Sequence, residues 1–560
     1  MVQFNEEKQE KRIEKLKKLE AENLTKILAG KYDLKYIDLT AVSINTDAIR
    51  LITLEEAKSA NMAVFDMIDK KIHVGVLSPS NEQTIKAIEK LKEKGYVSTL
   101  FLVSLESLKK VWDRYRDLSY SSATASGLLD ISVEEINDFL SKAKSIADVK
   151  SLTSEMLDST NTNKISKFLA IVITGALSLK ASDIHIEPED EKIRLRYRLD
   201  GVLIDIMEFD HETFKLLLSR IKLLSGMKIN IEGQAQDGRF SIKAGEEEIE
   251  IRASILPGNY SDSVVFRILD PKTISIPMEE LGVHPRLLKI FMEEIAKPNG
   301  MILTTGPTGS GKTTTLYAFL KKILTPEVKI ITIENPIEYH LEGVVQTQTN
   351  REKGYTFADG LRSILRQDPD VIMVGEIRDG ETAGIAINSA LTGHLVFTTL
   401  HTNNAAGSFP RLIDLGVNPK IITSAVTLAM AQRLVRRLCN ECKKEFVIEG
   451  NDKVVVDKVL ESIRDKTYTE GLNTTKYFKA VGCDKCNNLG YKGRICVYEA
   501  IRTNKKIEDA VESNPSEREI VKASLDQNIL NMAQDGLIKM LQGITSYDEL
   551  QRVVDLSIEI

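Results

Sequence analysis

Apolar residues recur along the chain at two different spacings, and changes of spacing divide it into regions. Residues 5–28 place apolar side chains at helical spacing among many Lys and Glu residues, which predicts a surface helix, either solvated or docked to a partner. Residues 47–117 alternate short apolar runs with amphipathic stretches. This second pattern predicts a small α/β unit, with strands at 63–65, 72–77 and 98–103 and helices ending at 91 and 115.

Two polar stretches, residues 119–127 and 159–163, then interrupt the apolar pattern, and a linker is predicted over residues 119–163. The apolar residues 165–179 predict a buried helix. After this helix, apolar and charged positions alternate and the chain turns at Asp-Gly, which predicts antiparallel strands with one solvated face. These strands are predicted at 182–188, 193–198, 249–252 and 264–268, with a further strand entered near 240.

The pattern changes again between residues 277 and 431, where the apolar runs lose their polar alternation. Such runs are typical of strands that are buried on both faces, as in a parallel sheet flanked by helices. Helical periodicity without candidate chemistry follows over residues 501–560. The buried strands are predicted at 302–305, 329–333, 371–374 and 396–399.

Composition narrows the class of protein. At roughly 150 residues per domain, a chain of 560 residues suggests three or four domains. The net charge of −6 argues against a dedicated nucleic-acid binder. No apolar run reaches the roughly 18 to 20 residues of a membrane span, and no signal peptide is evident. We therefore expect a cytosolic protein that has no transmembrane segment and reaches any membrane through a partner.

A glycine-rich segment, GPTGSGKT, stands between a strand-like run and a helix-like run at residues 306–313. Glycines let the backbone approach a polyphosphate, and the helix start adds a positive dipole end. In this context the segment predicts a triphosphate-binding loop rather than a solvated turn. We expect the lysine to bridge the β- and γ-phosphates and the next hydroxyl to bind Mg²⁺. The predicted contacts are Gly306, Pro307, Thr308, Gly309, Ser310, Gly311, Lys312, Thr313 and Thr314.

Hydrolysis also needs carboxylates and positive charge near the γ-phosphate. Glu334 and Glu338 follow one predicted strand, and Glu376 lies at the end of another, where α/β sheets bind ligands. His394 and His401 flank a third strand, one at each end. A single histidine is more often structural, but this pair is interpreted as functional.

These segments, in this order, resemble the secretion ATPase superfamily, in particular the type II secretion and type IV pilus assembly ATPases. Four family motifs match: the phosphate loop at 306–313, the Asp box at 334–338, the Walker B motif at 371–376 and the His box at 393–401. The resemblance covers about residues 165–500, and more loosely residues 30–117.

The resemblance implies roles for the acidic residues and the histidine. Glu338 would polarise water as the Asp-box glutamate, with Glu334 beside it. Glu376 would act on Mg²⁺ or water, and His401 would sense the γ-phosphate. Asn335 departs from the family, which has aspartate there.

The resemblance also changes the interpretation of three arginines in the predicted antiparallel sheet. From the pattern alone, Arg239, Arg252 and Arg267 are sheet-edge residues in salt bridges. Because the family completes its site from the preceding sheet domain, Arg252 and Arg267 would be arginine fingers, with Arg239 behind them. The turn at residues 231–235 lacks the family's usual arginine and proline.

Two Cys-x-x-Cys pairs, Cys439 with Cys442 and Cys483 with Cys486, can each chelate one face of a tetrahedral Zn²⁺. Their separation is longer than in the usual zinc ribbon, and buried thiols or a redox pair are the alternatives. Assembly ATPases of the family carry a tetracysteine site here, which favours zinc. Cys496 is predicted to be a packing residue.

The predicted fold is α/β: a RecA-like P-loop NTPase domain preceded by a mixed α/β (PAS-like) sheet domain and a small N-terminal α/β domain, with a zinc-binding insert. The predicted boundaries are 1–118 for the N-terminal partner-docking domain, 119–163 for the linker, 164–275 for the sheet domain, 276–435 for the ATPase domain, 436–500 for the zinc subdomain and 501–560 for the C-terminal helices.

The resemblance implies a homo-hexameric ATPase that uses ATP, Mg²⁺ and Zn²⁺ and drives an inner-membrane platform protein to assemble pilins. Export through pseudopilins of a type II secretion system is the alternative. A pilus-retraction ATPase, a nucleic-acid translocase and a non-catalytic nucleotide sensor are weaker rivals. Some N-terminal domains of the family bind cyclic di-GMP through an Arg-Leu-Gly repeat; residues 1–117 lack that repeat, so no binding is predicted.

Overall fold

The computed structural model describes residues 22–40, 42, 44–49, 51–68, 70–119, 133–158, 164–231, 233–244, 247–270, 276–350 and 353–557. The chain divides into two compact units, Met1–Asp130 and Ile131–Ile560. Among the described residues, no helix has both the length and the apolar character that crossing a membrane requires.

The first unit contains a four-stranded sheet with the order β1-β4-β3-β2. Its strands are β1 (Lys35–Tyr36), β2 (Met62–Ile68), β3 (Lys71–Val76) and β4 (Val97–Leu102). Its helices are Thr46–Ile49, Leu54–Ser59, Glu82–Glu93 and Leu105–Ser119, and residues 22–31 are also helical. The predicted strands and helices of this region are confirmed. Residues 5–21 of the predicted surface helix lie outside the described residues.

The segment predicted as a linker contains two helices, Val133–Lys142 and Ile146–Asp158, so that prediction was wrong for these residues. Both helices pack on the buried helix Lys164–Ser178. Ile136 and Val149 are buried, and this contact supplies the stability that helices of this length lack on their own. Residues 120–132 and 159–163 lie outside the described part of the chain.

A six-stranded antiparallel sheet with the order β7-β6-β5-β10-β9-β8 follows. Apolar side chains on one face pack against the helices Lys164–Ser178 and His211–Leu224 and leave charged side chains on the other, as the alternation predicts. The strands are β5 (Asp183–Pro188), β6 (Ile193–Leu199), β7 (Val202–Phe209), β8 (Gln236–Ala244), β9 (Glu247–Leu256) and β10 (Ser263–Leu269).

A seven-stranded sheet with the order β13-β12-β14-β15-β11-β16-β19 forms the centre of the second unit. Neighbours are parallel except for β16 and β19. The strands are β11 (Gly300–Thr305), β12 (Ile330–Glu334), β13 (Val345–Gln348), β14 (Val371–Val374), β15 (Leu395–Leu400), β16 (Val426–Leu438) and β19 (Tyr491–Arg502). Every residue of β11, β14 and β15 is buried, which confirms the predicted parallel core.

Helices cover both faces of this sheet, so its apolar strands are shielded on each side. They are Pro285–Ile295, Lys312–Ile323, Phe357–Leu365, Gly380–Leu391, Ser408–Asp414 and Pro419–Ala425, with a 3-10 turn at Met278–Glu280.

The cysteine-containing segment is an insert between two paired strands of this sheet. Leu438 pairs with Tyr491, so the chain leaves and re-enters the sheet at neighbouring points. The boundary predicted at residue 435 therefore falls inside β16. The insert holds a small antiparallel pair, β17 (Lys444–Phe446) and β18 (Tyr477–Lys479), the helix Gly450–Ser462, and 3-10 turns at Lys466–Tyr468 and Asp484–Cys486.

The C-terminal helices share the core of the ATPase sheet. Leu537 and Leu550 belong to the same buried cluster as Met301 and Val497 in the central strands. The predicted helical character of residues 501–560 is confirmed for the described part. The helices are Lys505–Ser513, Glu517–Ser524, Met532–Leu541 and Tyr547–Val553, with a 3-10 turn at Leu525–Gln527.

Candidate nucleotide-binding and catalytic site

The predicted phosphate loop lies at the carboxyl end of β11, between β15 and β16. Gly306, Gly309 and Gly311 have φ angles of 146°, 77° and 88°, which favour glycine. A Cβ atom on Gly306 would lie 2.7 Å from the carbonyl oxygen of Gln432, so no larger residue fits there. Gly311 is the N-cap of the helix Lys312–Ile323. Because glycine has no side chain to occupy the first N–H groups of the helix, these groups are available to an anion.

Lys312 folds back across this loop. Its Nζ donates hydrogen bonds to the carbonyl oxygens of Gly306 at 2.7 Å and of Pro307 at 3.1 Å. Burial lowers the pKa of Lys312 to about 8, while the nearby Glu376 carboxylate opposes this shift. Ser310 is buried and its hydroxyl has no partner in the described chain, which fits a ligand that supplies one.

Glu376 and His401 meet beside the loop, at the carboxyl ends of β14 and β15. The Nε2 atom of His401 lies 3.4 Å from Oε2 of Glu376, and Nη2 of Arg378 lies 2.6 Å from Oε1. The Glu376 side chain is only 12% exposed, whereas that of His401 is 51% exposed. The structure thus brings together a carboxylate, an imidazole and the loop lysine, the group types that phosphoryl transfer uses.

Packing explains the glycine before Glu376. A Cβ atom on Gly375 would lie 3.3 Å from both the Cα atom of Glu334 and the carbonyl oxygen of Ile333. Thr399 donates a hydrogen bond to the Gly375 carbonyl at 2.7 Å and thereby fixes the end of the strand. A larger residue at position 375 would therefore require the backbone of β12 to give way slightly.

Glu334 is buried and its carboxylate is already satisfied. It accepts hydrogen bonds from Tyr317 at 2.5 Å, Thr332 at 2.6 Å and Gln346 at 3.2 Å. Burial raises the pKa of Glu334 despite these donors. The carboxylate is therefore tied through Tyr317 to the helix that follows the phosphate loop, which is a positioning arrangement.

Glu338 is held by an arginine of the antiparallel sheet. Arg252, in β9, donates from Nη1 to Oε2 of Glu338 at 3.0 Å and from Nη2 to the Ile337 carbonyl at 2.6 Å. Both side chains are partly buried, at 24% and 31% exposure. The structure therefore brings one of the predicted arginine fingers into contact with the Asp box.

Arg267 and Arg239 lie in the same cross-strand row as Arg252, because Arg252 pairs with Arg239 on one side and Arg267 on the other. The Nε atom of Arg267 donates to Asp183 at 3.2 Å, within the sheet, and its side chain is 56% exposed. Arg239 is exposed. Arg267 is thus in the salt bridge that the pattern alone suggests, and only Arg252 contacts the Asp box.

His394 lies at the opposite end of β15 from His401. Its Nδ1 lies 3.0 Å from the Ser389 carbonyl, and its own carbonyl accepts a hydrogen bond from Gly300. Because Gly300 begins β11 and the phosphate loop follows the end of β11, His394 is at the other edge of the sheet. Its contacts are structural, in contrast to the sequence interpretation.

Sequence reasoning missed two residues of β16. Gln432 is buried, and its Nε2 donates to the Ser310 carbonyl at 2.7 Å. Arg433 donates to the Asn403 carbonyl at 2.8 Å, beside the His box. Burial lowers the pKa of Arg433. The only signal in the sequence was a polar pair in an otherwise apolar run, which gives no indication of a neighbouring loop.

The four paired cysteines converge on one point. Their sulfur atoms all lie within 4.8 Å of one another. Cys439 and Cys483 are 3.9 Å apart, and Cys486 lies 3.8 Å from both Cys442 and Cys483. A tetrahedral Zn²⁺ with bonds of about 2.3 Å requires sulfur separations of about 3.8 Å.

Backbone amides complete this cysteine cluster. Gly482 donates to the Cys442 sulfur at 3.3 Å, and Cys483 and Gly490 donate to the Cys486 sulfur at 3.2 Å. Such donors stabilise thiolates, so the donor set fits Zn²⁺. Cys496 is buried in β19, away from the cluster, as predicted for a packing residue.

Comparison with known proteins agrees with this architecture. The family model described as type II/IV secretion system protein matches residues 158–552, and the MshEN domain model matches residues 32–122. The type II secretion system protein E of Dickeya dadantii (strain 3937) is 42% identical over 416 residues, which are 74% of this chain and 80% of that protein.

A second relative aligns with more of the chain. The type IV pilus assembly ATPase PilB of Myxococcus xanthus (strain DK1622) is 34% identical over 534 residues, 95% of this chain and 91% of that protein. An X-ray structure of the Yersinia pseudotuberculosis ATPase DotB shares the fold, with a TM-score of 0.50 at 19% identity over 69% of this chain and 92% of that chain. The chain belongs to the type II/IV secretion system protein family and is an ATP hydrolase of that family.

Proposed function

We propose that this ATPase powers type IV pilus assembly. The observation that carries the proposal is the extent of the similarity: the match to the pilus assembly ATPase PilB covers 95% of this chain. The type II secretion protein E of Dickeya dadantii is more similar, at 42% identity, but the match covers only 74% of the chain. Pseudopilus assembly for protein export is therefore the second candidate.

The site supports a mechanism in which nucleotide binding exchanges hydrogen-bond partners. Lys312 would leave the carbonyls of Gly306 and Pro307, to which it donates at 2.7 and 3.1 Å, and bind phosphate oxygens. The charged lysine gains a partner of opposite charge, which favours the exchange. The phosphates would accept the N–H groups at the start of the helix that follows.

Glu376 and His401 are proposed to act on the γ-phosphate and its attacking water. They lie 3.4 Å apart, and Glu376 is largely shielded from solvent. Glu376 would orient or deprotonate the water, and His401 would contact the γ-phosphate. Thr313 would hold Mg²⁺, which neutralises phosphate charge when bound.

Arg252 is proposed to be the arginine finger that couples hydrolysis to motion. It extends from the antiparallel sheet to the Asp box, so a shift of Arg252 from Glu338 to phosphate would move the two sheets relative to each other. Glu338 would then be free to polarise water. Zn²⁺ on the four cysteines would be structural and would take no part in hydrolysis.

The assembly is proposed to be a cytoplasmic homo-hexamer that acts on an inner-membrane platform protein and, through it, on pilins. The chain offers no evidence of nucleic-acid binding: its net charge is −6. Residues 1–118 are proposed to dock a partner. The prediction that they do not bind cyclic di-GMP stays a prediction, and titration of the whole protein with that nucleotide tests it.

The experiment is a chromosomal Glu376→Gln substitution in the organism that carries the chain. We expect normal protein levels, ATP binding without turnover, and loss of surface pili. A chromosomal Lys312→Ala strain should lose both binding and pili. Loss of secreted proteins with pili intact would instead support type II secretion, and ATP turnover at the wild-type rate would contradict the assignment of Glu376.

A further inference from the structure

Gln432 lies next to the phosphate loop and approaches it at Gly306 with its backbone and at Ser310 with its side chain. Its backbone carbonyl lies 2.7 Å from the position a Cβ atom on Gly306 would take, and its side-chain Nε2 donates to the Ser310 carbonyl at 2.7 Å. The residue is fully buried. One residue of β16 therefore supports the part of the loop that precedes Lys312, through its backbone and its side chain.

The orientation of this amide is fixed by its partner. A carbonyl oxygen can only accept a hydrogen bond, so the amide nitrogen of Gln432 must face Ser310. The amide nitrogen also lies 3.8 Å from the Cys496 sulfur. The Oε1 atom of Gln432 is buried without a partner in the described chain. The amide therefore satisfies the Ser310 carbonyl while its own oxygen stays unpaired among the described residues.

The consequence concerns the peptide bond between Ser310 and Gly311. In a trans peptide, the C=O and the following N–H point in opposite directions. Because the Ser310 carbonyl is held down towards Gln432, the Gly311 N–H points away from β16. Residues 307–309 of the loop are exposed, so an anion can reach the loop from solvent.

We propose that Gln432 is a positioning residue for nucleotide binding, which holds the Ser310–Gly311 peptide so that its N–H faces the phosphates. The proposal rests on the phosphate loop being the nucleotide site. Without the hydrogen bond, the φ of 88° at Gly311 leaves the peptide free to flip, because glycine tolerates both orientations. A flipped peptide would present a carbonyl to the anion.

The test compares Gln432→Met with Gln527→Met in the full-length protein. Gln527 is the control, since its side chain also bonds backbone groups outside the phosphate loop: it donates to the Arg502 carbonyl at 2.8 Å and accepts from the Arg502 N–H at 2.9 Å. We expect Gln432→Met to weaken ADP and Mg-ATP binding about ten-fold, the usual effect of one such hydrogen bond, and to raise KM more than it lowers kcat. Gln527→Met should bind as the wild type does.

A second variant gives a signature that a merely structural role would not produce. In Gln432→Glu, the buried carboxyl can donate to the Ser310 carbonyl only when protonated. The nucleotide dissociation constant of Gln432→Glu, divided by that of the wild type, should therefore rise between pH 5.5 and pH 8 in roughly sigmoidal fashion. A pH-independent ratio near one would overturn the proposal.

Lys312→Ala separates the proposal from the site on which it rests. If Lys312→Ala loses nucleotide binding while folded Gln432→Met binds as tightly as wild type, Gln432 has no positioning role and the site stands. If Lys312→Ala binds normally, the phosphate loop is not the site and both fail. If Gln432→Met has a lowered melting temperature, Gln432→Glu at low pH provides the comparison in a variant that keeps the hydrogen bond.

Discussion

Arg252 and Glu338 form a direct ion pair, with Nη1 and Oε2 3.0 Å apart, although the sequence suggested separate roles for them. The pair joins the antiparallel sheet to the loop after β12. In this arrangement the Arg252 guanidinium is bound to a carboxylate and to the Ile337 carbonyl, and the Glu338 side chain is 31% exposed. If Arg252 is the proposed arginine finger, ATP would compete with Glu338 for the same guanidinium.

This relationship predicts unequal effects of the two candidate arginine fingers. We expect Arg252→Ala to lower kcat by about 10³-fold or more, as for other arginine fingers. Arg267→Ala should cost much less, because Arg267 is bound to Asp183 within its own sheet. Steady-state ATP hydrolysis measures both.

A double-mutant cycle separates the ion pair from the finger. Without nucleotide, Arg252→Ala and Glu338→Gln should couple in stability by at most about 1 kcal/mol, since both groups are partly exposed. The ion pair would have no functional role if Arg252→Ala and Glu338→Gln had additive effects on stability and if Arg252→Ala and Arg267→Ala lowered kcat equally.

The two histidines of the His box offer a matched comparison. His401→Ala should lower kcat by about 10²-fold with little change in stability, because His401 is half exposed beside Glu376. His394→Ala should keep its kcat and lose about 1 kcal/mol of stability, since its ring nitrogen lies 3.0 Å from the Ser389 carbonyl. Thermal unfolding and hydrolysis rates of both variants test this, and the reverse pattern would contradict the placement of the site.

Lys312 predicts a pH dependence of nucleotide affinity. Burial lowers the pKa of Lys312 to about 8, so the side chain is charged below that pH and increasingly neutral above it. ATP affinity should therefore fall as the pH rises from 7 to 9. At pH 8 binding should take up protons, because bound phosphate favours the charged lysine.

Calorimetry in buffers of different ionisation enthalpy measures that proton uptake. Lys312→Arg is the control, since a guanidinium stays charged throughout this range and should bind without proton uptake. An affinity that is constant from pH 7 to 9 in the wild type would contradict the combination of a lowered pKa and phosphate binding at Lys312.

The cysteine cluster predicts one Zn²⁺ per chain. Cys439→Ser and Cys483→Ser should lose the metal and lower the melting temperature, because a structural zinc contributes on the order of 10 kcal/mol to local folding. Cys496→Ser should keep the metal, as Cys496 lies outside the cluster. Metal analysis and thermal unfolding measure both effects. A metal-free wild type that is indifferent to chelators would contradict the zinc site.

The sequence predicted best those features of the fold and the site that depend on residues close together along the chain. The strand at 371–374 and the glycines of the phosphate loop were predicted because each is defined by its immediate neighbours. The contact between Arg252 and Glu338 joins residues 86 positions apart, and no local pattern encodes it. The helix Val133–Lys142 was missed although its apolar residues recur at helical spacing, because it lies between two polar stretches and is stabilised by packing on a neighbouring helix.

The paired strands that flank the cysteine-containing insert have an evolutionary consequence. Because Leu438 already pairs with Tyr491, a tight hairpin turn could replace everything between them without disturbing the ATPase sheet. The insert's Val456 and Val459, however, pack in one cluster with Leu537 and Met540 of the C-terminal helix. Removing the insert alone would expose an apolar face of the helix Met532–Leu541 to water. Because the helix Met532–Leu541 also packs on the ATPase sheet, it would have to stay, and loss of the insert would call for polar residues on the face that the insert now covers.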